Sequence, residues 1–193
     1  MQVPAKEVQV IKVMLVDLDG CLTDGNYQIS IDGKLSKNFF TRDWAGLMML
    51  NNAGVKTGIA TYAEDGVLDQ KIKQIPWAGD VVVLKTTTDK LGRVAEYFAW
   101  EFTRGYLTWD EFAFIGDDVG DIPLLRKVGL PACPVDADPV VIDCVSKLQD
   151  GIVLSCRGGH GAVRELANHV LRLNHAGDPV ALFRRADVSE TKH

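Results

Sequence analysis

Val13-Met14-Leu15-Val16-Asp17-Leu18-Asp19-Gly20-Cys21-Leu22-Thr23-Asp24-Gly25 decides the architecture. Four apolar residues without polar alternation, stopped by an aspartate, describe a strand buried on both faces. Outward from it, Val55 to Ala60, Val81 to Leu84 and Phe112 to Ile115 repeat the pattern. Between these runs the apolar residues fall at helical spacing. Leu91, Val94, Ala95, Phe98, Ala99 and Phe102 share one face of a single helix over 89–102. Leu47, Met48 and Leu50 predict a helix from about Trp44 to Asn52 that stops at Gly54. Val163, Leu166, Ala167, Val170 and Leu171 predict another after Gly161. Buried strands alternating with amphipathic helices imply an α/β fold, an open parallel sheet with helices on both faces.

Tyr27 to Ser36 breaks the alternation, with period-two character around Asp32-Gly33. That pair is a strong hairpin signal, so a β-hairpin over about 26–41 is expected to project beside the sheet, too short to be a cap domain. The 193 residues fit one domain, expected over 1–174, with 175–193 as a flexible C-terminal tail. A hydrophobic fraction of 47% supplies a core and excludes global disorder. With 21 Lys+Arg against 26 Asp+Glu, a net charge of −5 and no basic run, nucleic acid is excluded as a partner. An anionic substrate would then need a cation to bridge it to the protein. No apolar run approaches the roughly 20 residues of a membrane span, and residues 1–7 lack the order of a signal peptide, so a cytoplasmic setting is expected. The four cysteines form no C-x-x-C pair and read as free thiols.

The chemistry lies just past the buried strands. Asp17 and Asp19 would repel each other unless a divalent cation sits between them or one is protonated. Gly20 and Gly25 permit a sharp turn and a close ligand approach. A second acidic group, Gly116-Asp117-Asp118-Val119-Gly120-Asp121, follows the Phe112–Ile115 strand. If the two strands are neighbours, Asp17, Asp19 and Asp117 converge, a set that suits magnesium. Asp118 and Asp121 read as caps of the helix that follows or as support for the metal ligands, and for Asp121 these stand at least level with direct ligation. Thr61 could offer its hydroxyl to a phosphate or simply form a turn. Lys90, at a helix start, opposes the helix dipole, which favours a role in neutralising phosphate and carboxylate over one in helix stability, with Lys85 as a nearby competitor.

The order D-x-D-G-x-x-T-D-G, Thr61, Lys90 and G-D-D-x-x-D resembles the haloacid dehalogenase (HAD) superfamily of phosphohydrolases. It is most similar to the capless branch containing 3-deoxy-D-manno-octulosonate 8-phosphate phosphatases, nonulosonate 9-phosphate phosphatases and the C-terminal domain of N-acylneuraminate cytidylyltransferases. The likeness runs from about Val13 to Leu173 and includes Phe39-Phe40-Thr41-Arg42-Asp43 and Arg157-Gly158-Gly159-His160-Gly161. It implies a HAD-like sheet without a cap domain and hydrolysis of a phosphorylated 2-keto-3-deoxy sugar acid. Asp17 would be the nucleophile that becomes an aspartyl phosphate, and Asp19 the acid and base. Mg2+ would be held by Asp17, the Asp19 carbonyl and Asp117, and phosphate or substrate by Thr61, Lys90, Arg42, Gly159 and His160. A homotetramer closed by the hairpins is also implied. The chain departs from octulosonate phosphatases at Thr61-Tyr62-Ala63, where they carry Thr-Gly-Arg, and at His160, where arginine is common. Three other readings are a non-catalytic oligomerisation domain related to the cytidylyltransferases, a HAD phosphatase of different or broad substrate range, and a receiver-like phosphorylation module.

Overall fold

The computed structural model describes residues 10–77 and 80–184. Along the chain lie β1 (Val13–Val16), β2 (Thr23–Ile29), β3 (Leu35–Phe39), α1 (Thr41–Asn52), β4 (Lys56–Thr61), α2 (Val67–Lys73) and β5 (Val81–Lys85). Then come α3 (Lys90–Tyr97), α4 (Ala99–Thr103), β6 (Phe112–Ile115), α5 (Ile122–Leu125), β7 (Leu130–Cys133), α6 (Pro139–Lys147), β8 (Ile152–Val153), α7 (Ala162–Leu173) and α8 (Pro179–Arg184).

Six strands form one sheet in the order β5-β4-β1-β6-β7-β8, with every pairing parallel. Alternation along each strand sorts the core into two layers. Met14, Val16, Ala113 and Ile115 pack with Trp44, Leu47 and Leu50 of α1 and Val163, Leu166 and Val170 of α7. Val13, Leu15, Phe112 and Phe114 face the other way, against Val94, Phe98, Leu125 and Val141. Both faces are covered, which is why these strands read as unbroken apolar runs. Each fully buried Leu or Phe contributes about 2–3 kcal/mol of transfer free energy.

From β1 the chain first builds to one side through β4 and β5. It then crosses over to build β6, β7 and β8 on the other. The switch point falls between β1 and β6, and in open α/β sheets ligands bind beyond the carboxyl ends of the strands at that crevice. Asp17 ends β1 there and Asp117 lies just past β6.

Several elements differ from expectation. The single helix expected over 89–102 is two, α3 and α4, joined at Phe98 (φ −96°, ψ 12°). There the chain bends to sink Phe98 into the core, edge-on to Phe112 at a centroid distance of 5.0 Å. The hairpin strands begin earlier than expected, at Thr23, because the antiparallel pairing extends down to Thr23 and Phe39 at the base. β7 and β8 were not anticipated: Pro131 disguises one and the other has two residues. The stretch expected to be a flexible tail starts with α8, whose buried Leu182 packs into the α1–α7 layer. Asn52 Nδ2 donates to the Leu182 carbonyl at 2.7 Å. Residues 185–193 of that expected tail lie outside the described residues.

Helix α1 starts at Thr41 rather than near Trp44, because its first turn is anchored by a polar group that the apolar stripe does not reveal. Asp43 is fully buried, and its carboxylate accepts from Arg164 N–H at 2.7 Å and Gly161 N–H at 3.2 Å. It thereby caps the start of α7 from another helix. Burial raises its pKa to about 6 despite these two backbone donors. The unfolded chain therefore ionises Asp43 at lower pH than the folded one does. Its contribution to stability is fully present below about pH 4 and is lost as pH rises through about 6, on the order of 3 kcal/mol in all. Denaturant titrations of Asp43→Asn at pH 4.5 and 7.5 are expected to show a smaller difference than wild type. An equal difference would remove Asp43 as the source.

Candidate active site

Leu18–Leu22 forms one loose turn after β1, closed by Leu22 N–H to the Asp17 carbonyl at 3.3 Å. Asp19 (φ −88°, ψ 121°) and Gly20 (φ 88°, ψ −8°) depart from helical geometry inside it. Glycine is required at position 20 on two counts: the left-handed φ, and a Cβ that would lie 2.0 Å from Asp117 Oδ2. The turn therefore lets the carboxylate past β6 come directly against the backbone past β1.

A cavity of about 170 Å³ opens here, lined by Asp17, Thr61, Lys90, Asp117 and Asp121, with Asp19 and Tyr62 at its sides. Lys90, at the start of α3, is buried to 3% exposure rather than solvated. Its Nζ lies 2.6 Å from Asp17 Oδ1 and 2.6 Å from Asp121 Oδ1. Helix α3 tolerates this cation because Asp89 caps its first turn, accepting from Gly92 N–H at 2.9 Å. Burial alone would lower the Lys90 pKa, but Asp17 and Asp121 together hold it above the ordinary value, so it stays charged. The competitor Lys85 instead pairs with Asp69 at 2.7 Å.

Burial pushes the Asp17 pKa well up against the pull of Lys90, and Asp121 and Asp117 push the same way. Asp117 is raised to about 6, by burial first and then by Asp121. Asp121 gives one oxygen to Lys90 and turns the other back to its own loop. Its Oδ2 accepts from the N–H groups of Asp117 at 3.0 Å and Asp118 at 3.2 Å, fixing the loop that presents Asp117. Asp118 is exposed and caps the turn through Val119 N–H at 2.6 Å. Thr61 is buried, and its hydroxyl accepts from Ala63 N–H at 2.9 Å.

Three expected substrate contacts sit elsewhere. Arg42 is exposed and lies 5.9 Å from the Phe40 ring. Gly159 buttresses the turn, its N–H donating to the Cys21 carbonyl at 2.8 Å, and a Cβ there would meet Asp24 N at 2.4 Å. His160 is exposed, with Nδ1 2.8 Å from the Gly158 carbonyl. The glycines of this loop make room for the turn after β1, and among the described residues the cavity wall contains none of these three.

Other residues at the site escaped sequence reasoning. Tyr62 roofs the cavity: its ring centre is 4.6 Å from Lys90 Nζ and its hydroxyl donates to the Gly120 carbonyl at 3.3 Å. Lys37 of β3 reaches inward and pairs with Asp19 and Asp65. The signal for it was present, since Leu35, Lys37 and Phe39 alternate with exposed residues and share the inner face of the hairpin.

The donor set fits a hard divalent cation. Asp17, Cys21 and Asp117 each place a ligand atom within 4.8 Å of the others. Asp17, buried, and Asp117, half-buried, are held together by backbone geometry and carry negative charge that Lys90, already shared with Asp121, does not neutralise. Oxygen donors in this number suit an ion that keeps part of its water shell. The buried Cys21 thiol is pushed well up by burial and by Asp117. Its Sγ donates to Asp117 Oδ1 at 3.6 Å, which leaves the two carboxylates as the groups that could hold a cation.

No family model matches the chain. A solved HAD superfamily (subfamily III A) hydrolase from Legionella pneumophila superposes with a TM-score of 0.78 at 33% identity, covering 95% of this chain and 92% of that one. This chain belongs to the HAD superfamily. Among other HAD relatives, 3-deoxy-D-manno-octulosonate 8-phosphate phosphatase of Haemophilus influenzae is 29% identical over 167 residues, 86% of each protein. A cobalt-bound form of that enzyme superposes with a TM-score of 0.74 at 26% identity, covering 88% of this chain and 92% of that one. N-acylneuraminate cytidylyltransferase A of Danio rerio is 32% identical over 168 residues, 86% of this chain. The chain spans 36% of that relative's length.

Proposed function

We propose that this HAD chain is a magnesium-dependent phosphomonoesterase acting on a phosphorylated 2-keto-3-deoxy sugar acid of the octulosonate or nonulosonate type. The observation that carries it is the junction of Asp17, Lys90 and Asp117 at the carboxyl ends of β1 and β6, in a cavity also reached by Asp19 and Thr61. The similarity to the octulosonate 8-phosphate phosphatase over 86% of both chains supports the substrate class.

Asp17, the Asp19 carbonyl and Asp117 would hold the ion. Bound magnesium neutralises phosphate and carboxylates together and polarises the phosphoryl oxygens. Asp17 attacks phosphorus in line, forming an aspartyl phosphate as the ester oxygen departs. Lys90 orients Asp17 and offers its charge to a phosphoryl oxygen. Thr61 supplies a hydroxyl donor. Asp19 gives a proton to the departing sugar oxygen, then takes one from the water that cleaves the acyl phosphate. Tyr62 excludes water from above Lys90.

Phosphate release tests this reading across octulosonate, nonulosonate and hexose phosphates, with magnesium and after EDTA treatment. Turnover is expected for a keto-deoxy sugar acid phosphate, falling at least about 100-fold without metal and returning on magnesium addition. Full activity after metal removal, or no turnover of any ester, would overturn it. The latter would favour a non-catalytic domain, the reading that the cytidylyltransferase similarity supports. The exposed Tyr27, Ile29 and Ile31 of the hairpin are the surface we assign to homotetramer contacts. Light scattering of a variant with polar residues at these positions should report a smaller particle. The unpaired thiols accord with a cytoplasmic setting.

A further inference from the structure

Asp19 meets two donors. Thr23 Oγ1 donates to its Oδ1 at 3.0 Å, and Lys37 Nζ lies 2.6 Å from its Oδ2. Lys37 belongs to the projecting hairpin, yet its side chain is 3% exposed, while that of Asp19 remains 37% exposed toward the cavity. A second ion pair ties the same ammonium to Asp65, in the loop between β4 and α2 that also carries Tyr62. One buried cation thus joins three segments that are separate in sequence: the turn after β1, the hairpin and the loop after Thr61. Burial of the Lys37 ammonium opposes its charge, but the bonds to Asp19 and Asp65 outweigh that and raise its pKa. A charged group held this far from water needs both partners, so its place is fixed by them and theirs by it.

We propose that Lys37 is a positioning residue for Asp19, fixing its carboxyl group where the protonated form gives its proton to the leaving oxygen and Lys37 stabilises the carboxylate left behind, with Asp65 as the anchor on the far side. This rests on the phosphatase reading above. Of the side chains described at the site, Lys90 reaches Asp17 and Asp121, and Lys37 reaches Asp19. The two lysines therefore divide the work. One serves the nucleophile, and the other serves the group that handles the leaving alcohol.

The division has a kinetic signature. Loss of a general acid matters for a poor leaving group such as an alkoxide and little for p-nitrophenolate, which departs unassisted. The ratio kcat/KM covers steps up to departure of the leaving group, and so excludes hydrolysis of the aspartyl phosphate, which is common to every ester. For Lys37→Met, kcat/KM on an alkyl phosphate should fall about 100-fold. The fall on p-nitrophenyl phosphate should be at least tenfold smaller. Lys37→Arg should recover part of the alkyl activity, and Asp65→Asn should show the same selectivity more weakly. Equal losses on both esters, or none on the alkyl ester, would overturn the proposal even if Lys37→Met fails to fold, since Asp65→Asn reads the same ratio.

A crystal structure of Asp65→Asn or Lys37→Met supplies a readout that does not depend on turnover. Displaced Asp19 oxygens support the positioning role, and oxygens left in place overturn it. If wild type turns over no ester, the phosphatase reading fails, while the structure still decides whether Lys37 positions Asp19.

Discussion

Asp17→Asn is expected to abolish ester hydrolysis, lowering kcat by at least about 10⁴-fold, because the amide cannot form the acyl phosphate and no neighbouring group can replace it. Asp121, the other buried carboxylate beside Lys90, spends its second oxygen on the N–H groups of Asp117 and Asp118. Asp117 has an oxygen within 4.8 Å of Asp17, but it packs against Gly20 and its loop is fixed by Asp121. Neither can be brought in line without dismantling the loop. The fold should survive the change. Asparagine matches aspartate in shape, its carbonyl oxygen can still accept from Lys90, and Lys90 keeps its 2.6 Å contact with Asp121. Removing a carboxylate whose pKa is raised by burial also relieves a desolvation cost, so the melting temperature should stay close to wild type. Phosphate release and thermal unfolding on the same preparation check both halves. Turnover within about tenfold of wild type would remove Asp17 as nucleophile.

The parts legible in the sequence were those with a periodic or local cause. β1 and β6 carry side chains buried on both faces, and their apolar runs could be bounded to the residue. Asp17 and Asp117 were placed by the same signal, since each stands one or two positions past such a run. Lys90 was legible through a conflict with its own helix, a cation where the dipole disfavours one. What stayed hidden depends on contacts between distant segments. Nothing within positions 41–43 says that Asp43 caps a helix more than a hundred residues on, so the start of α1 was misplaced. Phe98 carries the apolar spacing of a continuous helix, and only its packing against Phe112 bends the chain there. Gly159 and His160 occupy a glycine-rich loop that looks suited to an anion. Its glycines instead solve a steric problem, because a Cβ on Gly158 would lie 1.7 Å from the Gly20 carbonyl oxygen. Arg42 was carried by motif alone, and the first turn of α1 points it outward.

Lys90→Met should be the most destabilising single change at the site, by about 3–5 kcal/mol. In the wild type one ammonium compensates Asp17 and Asp121, both with side chains under a tenth exposed. Methionine fills much of the space but leaves two buried carboxylates facing each other, with Asp117 raised to about 6 nearby. For a domain of this size such a loss lowers the melting temperature by about 10 °C. The cost has a defined pH dependence. A buried carboxylate with no cation has its folded pKa raised above the unfolded value. Its penalty is therefore absent at low pH, where both states are protonated, and develops as pH rises through the folded value. The gap between variant and wild type should be small near pH 4 and grow toward pH 8. The double variant Lys90→Met/Asp121→Asn removes one of the orphaned charges and should recover part of the stability at pH 8. It should recover none of the activity, because Asp17 would still lack the cation that orients it. If Lys90→Met unfolds at the wild-type temperature at pH 8, the ion network is not what holds these carboxylates. The electrostatic account of the site would then fail with it.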